Sequence, residues 1–510
     1  MLLNRKSVEL LAPAGTWDAL VAGVESGADA VYLGGKHFNM RMHEGEFNFD
    51  DALLKKAIDY AHEHGVRLYI TLNNLISNEE IPALREYLAY LNEIRPDALL
   101  VQDFAVLELV HEMGITIPLH TSVMMNTHNE HAIEKLKEYG ITRIVVGREM
   151  TLSELSLFRE RTGIEVEYFM HGDMCISESG QCIHSGVLFG QSGNRGRCLK
   201  PCRWAYKLID EKTGEVLDKD GPGAYKLALK DMCMYRAIPQ LIQAGVFSFK
   251  IEGRMRPAGF IRRIVSTYRK AIDAYIADPN GYTTDEEGWK TLYDNRARDF
   301  TTTFAFGQPG KKDIGFTGER EPRFFSHAVK EAGFQDEVLR QERDIEKENA
   351  AHRVLSVRCN TVESAKAAIR NGADTVYVGG EAFRPLRPWK LGDYEEILAY
   401  AKGKARVVVT TPRTTMRREC GELEQFFTAL REIRPDGLMV SNLGSLKLAQ
   451  SITDLPVQAD LSFNLFNQLA AKFLKENGLS MAATSYELSF EQLREIVETA
   501  ELPLETVVHG

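Results

Sequence analysis

Eight short apolar runs, each followed by an amphipathic stretch, dominate the first 280 of the 510 residues. The runs cover residues 8–12, 30–33, 67–72, 98–101, 117–120, 143–146, 165–170 and 247–251. The stretches between them repeat apolar residues at helical spacing, and several end at a glycine just past the last turn. Eight strands that each precede a helix predict an α/β fold with an eight-stranded, TIM-like β/α barrel over residues 1–280; an open doubly wound sheet is the alternative.

A second copy of this pattern follows about 340 residues later. The motif GADAVYLGG at 27–35 recurs as GADTVYVGG at 372–380, and EIRPD at 93–97 recurs at 432–436. The copy covers 354–510 and reaches only the seventh strand position, so we expect an incomplete second β/α repeat. It is either an open sheet that leans on the first unit or the front part of a longer natural chain. Residues 281–353 are interpreted as a small extension and a charged linker.

The charge and hydropathy of the chain exclude some classes of protein. Lys and Arg number 62 against 72 Asp and Glu, which argues against a protein that coats nucleic acid or membranes through overall basic charge. No apolar run reaches the roughly 18 residues that a membrane span needs, and the N-terminus lacks the apolar core of a signal peptide. We therefore expect a cytoplasmic protein with no membrane partner.

The cysteines are concentrated just after the seventh predicted strand. Seven cysteines are too few for a disulfide framework in a chain of this length. Thiolates are soft ligands that suit iron–sulfur clusters or zinc, and loops after the last strands of a barrel open at its C-terminal face. Segment 173–233 therefore predicts a dispersed thiolate metal site. Its cysteines are Cys175, Cys182, Cys198, Cys202 and Cys233.

The same segment is locally basic. Between Gly186 and Lys207 there is no acidic residue, and Trp204 and Tyr206 stand among the cations. Cations beside aromatic side chains suit an RNA backbone and an unstacked base, so we predict RNA binding here. The alternative is a solvated loop whose charge balances nearby carboxylates. The five predicted RNA-binding residues are Arg195, Arg197, Lys200, Arg203 and Lys207.

Polar residues also stand at the ends of predicted strands, where barrel enzymes place their chemistry. His171, Glu252 and Arg254 adjoin the cysteine-bearing loops, and we predict a catalytic role for these three. The remaining strand-end residues are interpreted as pocket-lining candidates: Asn73, Asp103, His120 and Arg148.

The stretch EYFMHGDMCISESGQCIHS at 167–185 resembles the signature of the peptidase U32 family. LAPAG at 11–15, AVYLG at 30–34 and FKIEGR at 249–254 resemble it too, so the likeness covers about residues 7–310, with a weaker second copy. The resemblance implies an iron–sulfur-dependent RNA hydroxylase. Its expected reaction is 5-hydroxylation of a pyrimidine in rRNA or tRNA, with a 4Fe-4S cluster and with prephenate as a co-substrate.

The resemblance also implies that Cys175, Cys182, Cys198 and Cys233 bind the cluster, with Cys202 competing with Cys198. The second copy lacks a cysteine segment and is expected to carry no metal. A collagenase-like peptidase is the first alternative, although the sequence has neither a His-Glu-x-x-His motif nor a Gly-x-Ser-x-Gly elbow. A non-enzymatic RNA-binding scaffold is the second, and a partner subunit that completes the site is a further expectation.

Overall fold

The computed structural model describes residues 7–219, 221–319, 353–382 and 386–510. The chain divides into two compact units, with the boundary between Ala328 and Val329, and each unit is described by itself. Most of the predicted linker, residues 320–352, lies outside the described residues. Within the described ranges, no helix combines the length and the apolar character needed to cross a membrane.

The first unit alternates strands and helices as the sequence predicts. Its strands are β1 Glu9–Pro13, β2 Ala30–Leu33, β3 Arg67–Leu72, β4 Ala98–Val101, β5 Leu119–Thr121, β6 Ile141–Val145, β7 Glu165–Gly172, β8 Asp231–Cys233, β9 Ser248–Ile251 and β10 Phe300–Thr301. Its helices are α1 Trp17–Glu25, α2 Asp51–Glu63, α3 Ile81–Ile94, α4 Phe104–Glu112, α5 Glu130–Lys137, α6 Leu152–Thr162, α7 His184–Phe189, α8 Ile238–Gln243, α9 Ala258–Ala277 and α10 Glu286–Asp294.

Eight of these strands form a closed parallel barrel. Strands β1 to β7 pair with their neighbours in chain order, and β9 completes the ring by pairing with both β7 and β1. Ser248 stands in register with Glu9 on one side and with Glu167 on the other. The predicted barrel is confirmed, and each barrel strand begins and ends within two residues of its predicted position.

Two short strands lie outside the barrel. Strand β8 pairs antiparallel with the C-terminal end of β7, so that His171 faces Cys233 and Gly172 faces Met232. Strand β10 pairs parallel with β8 and extends the sheet by one further strand. The stretch between β7 and β9 therefore leaves the barrel, adds a strand at its C-terminal mouth and returns to close the ring. This excursion carries the cysteine segment.

The inside of the barrel holds a buried network of charges. Arg143 Nη1 lies 2.6 Å from Glu9 Oε1, and Lys250 Nζ lies 2.7 Å from Glu167 Oε1. The hydroxyl of Tyr69 donates to Glu9 Oε2 at 2.6 Å. Charges removed from water are tolerated when they are paired and hydrogen-bonded. These residues fill the N-terminal and middle layers of the barrel, which leaves chemistry to its C-terminal mouth.

The second unit is a seven-stranded, all-parallel sheet with its strands in chain order, from β11 to β17. Its strands are β11 Ser356–Cys359, β12 Thr375–Gly379, β13 Arg406–Thr410, β14 Gly437–Val440, β15 Val457–Ala459, β16 Ala482–Ala483 and β17 Leu504–Glu505. Its helices are α11 Val362–Arg370, α12 Leu391–Ala401, α13 Cys420–Ile433, α14 Leu443–Ile452, α15 Gln468–Glu476 and α16 Phe490–Thr499.

Backbone details support the repeat. Arg95 and Arg434 both end their helices in the left-handed conformation, with φ of 54° and 49°. Asn126 and Asn464 adopt it at a second matching point, with φ of 56° and 53°. Non-glycine residues rarely adopt positive φ, so its recurrence at matching positions indicates one local structure used twice. The predicted incomplete second β/α repeat is confirmed as a half-barrel of seven parallel strands.

Candidate metal and RNA site

The cysteine segment covers the C-terminal mouth of the barrel between β7 and β8. Most of it is irregular, with helix α7 and short helical turns at Gly193–Arg195 and Pro201–Arg203. Gly180 shows why the path needs glycine, since its φ is +76° and an added β-carbon would lie 2.2 Å from the carbonyl oxygen of Met124. The segment is therefore packed tightly against the loop that follows β5.

Local contacts bring four thiols into one neighbourhood. A β-carbon built on Gly193 would lie 3.7 Å from the carbonyl oxygen of Cys182 and 3.8 Å from Cβ of Cys198, so these two cysteines flank the same glycine. Arg203 Nη2 donates to the carbonyl oxygen of Met174 at 2.6 Å. This bond ties the residue after Cys202 to the residue before Cys175.

The pKa values of these thiols reflect the same grouping. Burial raises the pKa of Cys198, and the neighbouring Cys175 and Cys182 raise it further. Burial also raises the pKa of Cys202 to about 12, with Cys175 adding to the effect and Arg203 opposing it. Thiols that must ionise together repel one another unless a cation joins them, so this donor set suits a metal centre.

The donor set fits an iron–sulfur cluster in number and in chemistry, because four soft thiols lie on one segment at the barrel mouth. In the part of the chain that the structure describes, no three potential ligands already converge at coordinating distances.

Cys233 occupies a different place from the other four. It is buried on β8, and its Sγ lies 3.5 Å from the hydroxyl oxygen of Tyr268. Burial raises the pKa of Cys233 to about 11, although the hydrogen bond with Tyr268 offsets part of the rise. The structure thus groups Cys175, Cys182 and Cys198 with Cys202, and it places Cys233 against helix α9.

His171 is buried opposite Cys233 at the end of β7. Its Nδ1 lies 3.1 Å from the same Tyr268 hydroxyl. Burial lowers the pKa of His171 to about 3, and Arg256 lowers it further. His171 is therefore neutral, and it can serve as a hydrogen-bonding group but not as a charged acid near neutral pH.

Glu252 and Arg254, the other two predicted catalytic residues, have different surroundings. Glu252 is half-buried and accepts a hydrogen bond from the Tyr32 hydroxyl at 3.4 Å. Arg254 is buried, with Nη1 3.0 Å from Asn39 Oδ1 and Nη2 2.9 Å from Asn48 Oδ1. Arg254 holds the loop after β2 in place. Arg254 also lines a cavity at the barrel mouth, and within the described residues its Nε has no hydrogen-bond partner, so its catalytic role stays a prediction.

Two adjoining cavities open at the mouth and share Glu252 and Arg256. The first, of about 410 Å³, is lined by charged side chains that include Arg41, Asp173 and Lys200. Burial lowers the pKa of Lys200, and Arg41 lowers it further, which indicates that the two cations lie close together. The second, of about 430 Å³, extends from His171 to helix α10. The cluster of cations in the first suits an anionic ligand.

Arg298, which the sequence analysis did not single out, ties this region together. Its Nη1 lies 2.6 Å from Asp173 Oδ1 and 2.9 Å from Asp231 Oδ1. The guanidinium thereby joins the start of the cysteine segment to β8. Its position in the motif NRARDF, outside any predicted strand or helix, gave no signal for this role.

Of the other strand-end candidates, Arg148 lines a pocket that also contains Cys175, and the other three make contacts within the fold. Asp103 caps α4 by accepting from Ala105 N at 2.8 Å. His120 packs edge-on against Tyr69 inside the barrel, with 5.0 Å between ring centroids. Arg148 lies over the ring of Phe169 at 3.9 Å. Asn73 joins neighbouring loops through bonds to Met40 N and Ser122 Oγ.

The predicted RNA-binding residues divide into buried and exposed members. Arg195 is 4% exposed and forms a bidentate pair with Glu80, so the expectation of an RNA contact there is corrected. Arg203 donates to main-chain carbonyls, and Lys200 lines the first cavity. The Nε of half-buried Arg197 lies 3.2 Å from His43 Nε2. Lys207 is exposed.

An exposed aromatic pair stands near Lys207. Trp204 is 44% exposed, and its ring centroid lies 5.3 Å from that of Phe189, with 50° between the ring planes. Such a pair offers faces on which an unpaired base can stack. Lys207 and Trp204 are thus exposed members of the predicted RNA-binding stretch, and the exposed Phe189 adds a second ring beside Trp204.

Comparisons with known proteins place the chain among relatives of stated activity. The model of the family described as peptidase family U32 matches residues 15–315 and 360–510. A tRNA hydroxylation protein P1 of Bacillus subtilis is 32% identical over 376 residues, covering 73% of this chain and 86% of the relative. A 23S rRNA 5-hydroxycytidine synthase of Escherichia coli is 34% identical over 280 residues, covering 54% of this chain and 41% of the relative. A collagenase of Porphyromonas gingivalis is 30% identical over 296 residues, covering 56% and 69%.

Proposed function

Because the chain belongs to peptidase family U32, we propose that it is an RNA-modifying enzyme that hydroxylates carbon 5 of a pyrimidine base. The likeness to a tRNA hydroxylation protein across most of both chains carries this proposal. It favours transfer RNA as the substrate. Ribosomal RNA is the second candidate, since the relative named for rRNA hydroxycytidine is matched over less than half of its length.

We propose that Cys175, Cys182 and Cys198 hold a 4Fe-4S cluster together with a fourth thiol. The contacts around Gly193 and Arg203 support Cys202 in this role, whereas the family resemblance supports Cys233. When bound, such a cluster supplies the electron transfer that hydroxylation of a ring carbon requires and that amino-acid side chains cannot provide. Lys200 and Arg203 supply positive charge close to the thiols. Lys200 acts to lower the pKa of Cys198, and Arg203 acts to lower the pKa of Cys202.

The first cavity supports an organic acid as co-substrate, with prephenate as the proposed compound. Carboxylates bind best where guanidinium and ammonium groups converge, and Arg41, Lys200 and Arg256 line this cavity. Glu252 and Asp173 on its wall provide acceptors for hydroxyl groups of a ligand. The cations bind and orient the acid beside the cysteine segment, because Lys200 is two residues from Cys198.

The exposed face of the cysteine segment supports the RNA contact. Lys207 offers a charge to a phosphate, and the Trp204–Phe189 pair offers a surface to a base that has left its helix. A nucleic acid bound to these side chains would lie close to the mouth of the barrel. Neutral, buried His171 on the wall of the second cavity can hydrogen-bond a base edge without competing for a proton.

A peptidase is the second candidate, and relatives named as a collagenase and as an uncharacterized protease favour it. A cysteine peptidase needs a thiol with a lowered pKa beside a basic histidine. Burial instead raises the pKa of Cys233 to about 11 and lowers that of His171 to about 3. This cysteine and this histidine, which both contact Tyr268, therefore have the opposite of the required properties.

The test is an assay of the anaerobically purified protein with tRNA and rRNA transcripts, with and without prephenate. Digestion to nucleosides and mass spectrometry should reveal a pyrimidine that has gained one oxygen atom. Roughly four iron atoms per chain and broad absorption near ~400 nm are expected. Stoichiometric zinc without iron contradicts the cluster. Cleavage of peptides with no modified nucleoside in either RNA contradicts the function.

A further inference from the structure

The cysteine loop rests on a buried carboxylate that no step so far has used. Glu149 Oε1 lies 2.6 Å from His128 Nε2 and accepts from Ser179 N at 3.1 Å. Its other oxygen, Oε2, accepts from the hydroxyl of Ser179 at 3.0 Å. We propose that His128 and Glu149 are positioning residues for the thiol site: they anchor the loop of residues 173–182 and place a fixed negative charge beside it.

The anchor is a charged group held in the interior. His128 is 2% exposed and Glu149 is 6% exposed. Burial alone would raise the pKa of Glu149, but the hydrogen bonds from His128 and Ser179 outweigh it and lower the pKa. Hydrogen bonds to an ionised carboxylate are stronger than neutral ones. One side chain therefore links the loop after β5, the loop after β6 and the cysteine loop.

Close packing leaves no room for another arrangement of this anchor. A β-carbon added to Gly147 would lie 2.4 Å from Glu149 Oε1 and 2.8 Å from His128 Nε2. On the loop itself, a β-carbon at Gly180 would collide with the carbonyl oxygen of Met124. Glycine at position 147 lets the backbone approach the His128–Glu149 pair closely, and glycine at position 180 lets the cysteine loop approach the loop after β5. A residue without a side chain is therefore needed at both positions.

The second unit carries a different residue at one position of this pair. Counting from the matching left-handed residues Asn126 and Asn464, Phe466 stands at the position of His128 and Glu487 at that of Glu149. Phe466 cannot donate a hydrogen bond, so the buried hydrogen-bonded pair cannot form there. The histidine occurs in the copy that carries the cysteines.

The charge has an electronic consequence, and this part rests on the proposed cluster. Glu149 and Cys175 line the same cavity of about 320 Å³. A fixed negative charge beside a redox centre disfavours the addition of an electron, so Glu149 should lower the reduction potential of a group held by Cys175. The anchoring part needs no metal, because the hydrogen bonds to Ser179 exist within the protein alone.

Three variants separate the two effects. Ser179→Ala removes the hydroxyl bond to Glu149 but keeps the backbone N–H bond and the charge, and Glu149→Gln keeps an acceptor for Ser179 but removes the charge. Glu178→Gln is the matched control, because it removes a carboxylate on the wall of the same cavity that is exposed and therefore screened by water. In the metal-free full-length protein, alkylation of half-buried Cys182 should speed up about tenfold in Ser179→Ala and less in Glu149→Gln, and should stay unchanged in Glu178→Gln.

In the iron-loaded protein, the midpoint potential should rise in Glu149→Gln and stay near the wild-type value in Ser179→Ala and Glu178→Gln. Equal alkylation rates in all variants would overturn the anchor. Equal potentials in Glu149→Gln and Glu178→Gln would overturn the electronic role. If the wild-type protein binds no iron, the proposed function fails, while the alkylation rates still decide the anchor. If Glu149→Gln fails to fold, the alkylation rate of Ser179→Ala still tests the anchor, because that substitution is a smaller change.

Discussion

Buried Arg195 and half-buried Glu80 form a bidentate ion pair, with Nη1 2.8 Å from Oε2 and Nη2 3.0 Å from Oε1. Arg195 also donates to the carbonyl oxygen of Leu75 at 2.8 Å. The turn that carries Cys198 is thereby fastened to the loop that precedes α3. An arginine from a locally basic stretch of the chain thus acts inside the fold.

Replacing Arg195 with alanine should reduce stability and leave RNA affinity unchanged. Removing one partner of a buried pair leaves an uncompensated charge, and we expect a loss of about 2–4 kcal/mol in the free energy of unfolding. Burial alone would raise the pKa of Glu80, but the ion pair with Arg195 outweighs burial and lowers the pKa. The contribution of the ion pair to stability is therefore fully present above the ordinary glutamate pKa of 4.5, and it is lost as the pH falls through the lowered pKa. Urea titrations of wild type and variant at several pH values measure it. A weaker RNA complex with unchanged stability would contradict this role.

The buried His171 should make the protein less stable in acid. Its pKa is about 3 in the folded protein, against 6.5 for an ordinary exposed histidine, so the unfolded chain binds a proton that the folded chain does not. Stability should therefore fall by up to about 1.4 kcal/mol per pH unit as pH decreases below 6.5. His171→Gln should flatten this dependence. Parallel slopes in wild type and variant would show that His171 titrates normally.

Serine substitutions should identify the fourth ligand of the proposed cluster. Cys175→Ser, Cys182→Ser and Cys198→Ser should each abolish iron binding, because a cluster with three thiolates is held less firmly. Of Cys202→Ser and Cys233→Ser, one should lose iron and the other should retain it. Iron content and the visible spectrum after anaerobic reconstitution provide the measurement. Full iron in both variants, or loss in both, would contradict a four-thiol site.

Two exposed side chains should dominate RNA binding by the cysteine segment. Lys207→Ala should reduce the slope of log K against log salt by up to about one, as expected for one phosphate contact. Trp204→Ala should weaken binding by about 1–3 kcal/mol, because one stacking surface is lost. Lys55→Ala on α2 is the control, since Lys55 is exposed and lies outside the segment. Fluorescence titrations with tRNA test this prediction. Equal affinities of the wild type and all three variants would mean that the segment is a solvated loop that does not bind RNA.

The barrel was predictable because its signal is local and repeated. Each strand is a short apolar run, and glycines mark the helix ends, so strand bounds could be placed within two residues. Strand β8 gave no such signal, since Asp231–Cys233 is three residues long and pairs with β7 some sixty positions earlier. Its existence depends on tertiary contacts such as those of Arg298 with Asp173 and Asp231.

The site was predictable in its cysteines and less so in its cations. Clustering of thiols in the sequence survives folding, because the residues are linked by a short segment. The orientation of an arginine side chain cannot be predicted in this way, because it depends on a partner that is distant in the sequence. Glu80 lies 115 positions from Arg195, and Asn39 lies 215 positions from Arg254. Basic composition alone therefore overstated the exposed positive surface.

The closing strand of the barrel has a consequence for how the protein is made. Strand β9 pairs with both β1 and β7. Strand β1 leaves the ribosome before the other strands of the barrel, and the cysteine segment lies between β7 and β9 in the sequence. During translation the thiols are therefore already outside while β1 and β7 still present unpaired edges. Docking of Ser248–Ile251 removes both edges in one event. During synthesis the barrel therefore stays open, with the thiols accessible, until β9 pairs with β1 and β7 and closes the ring.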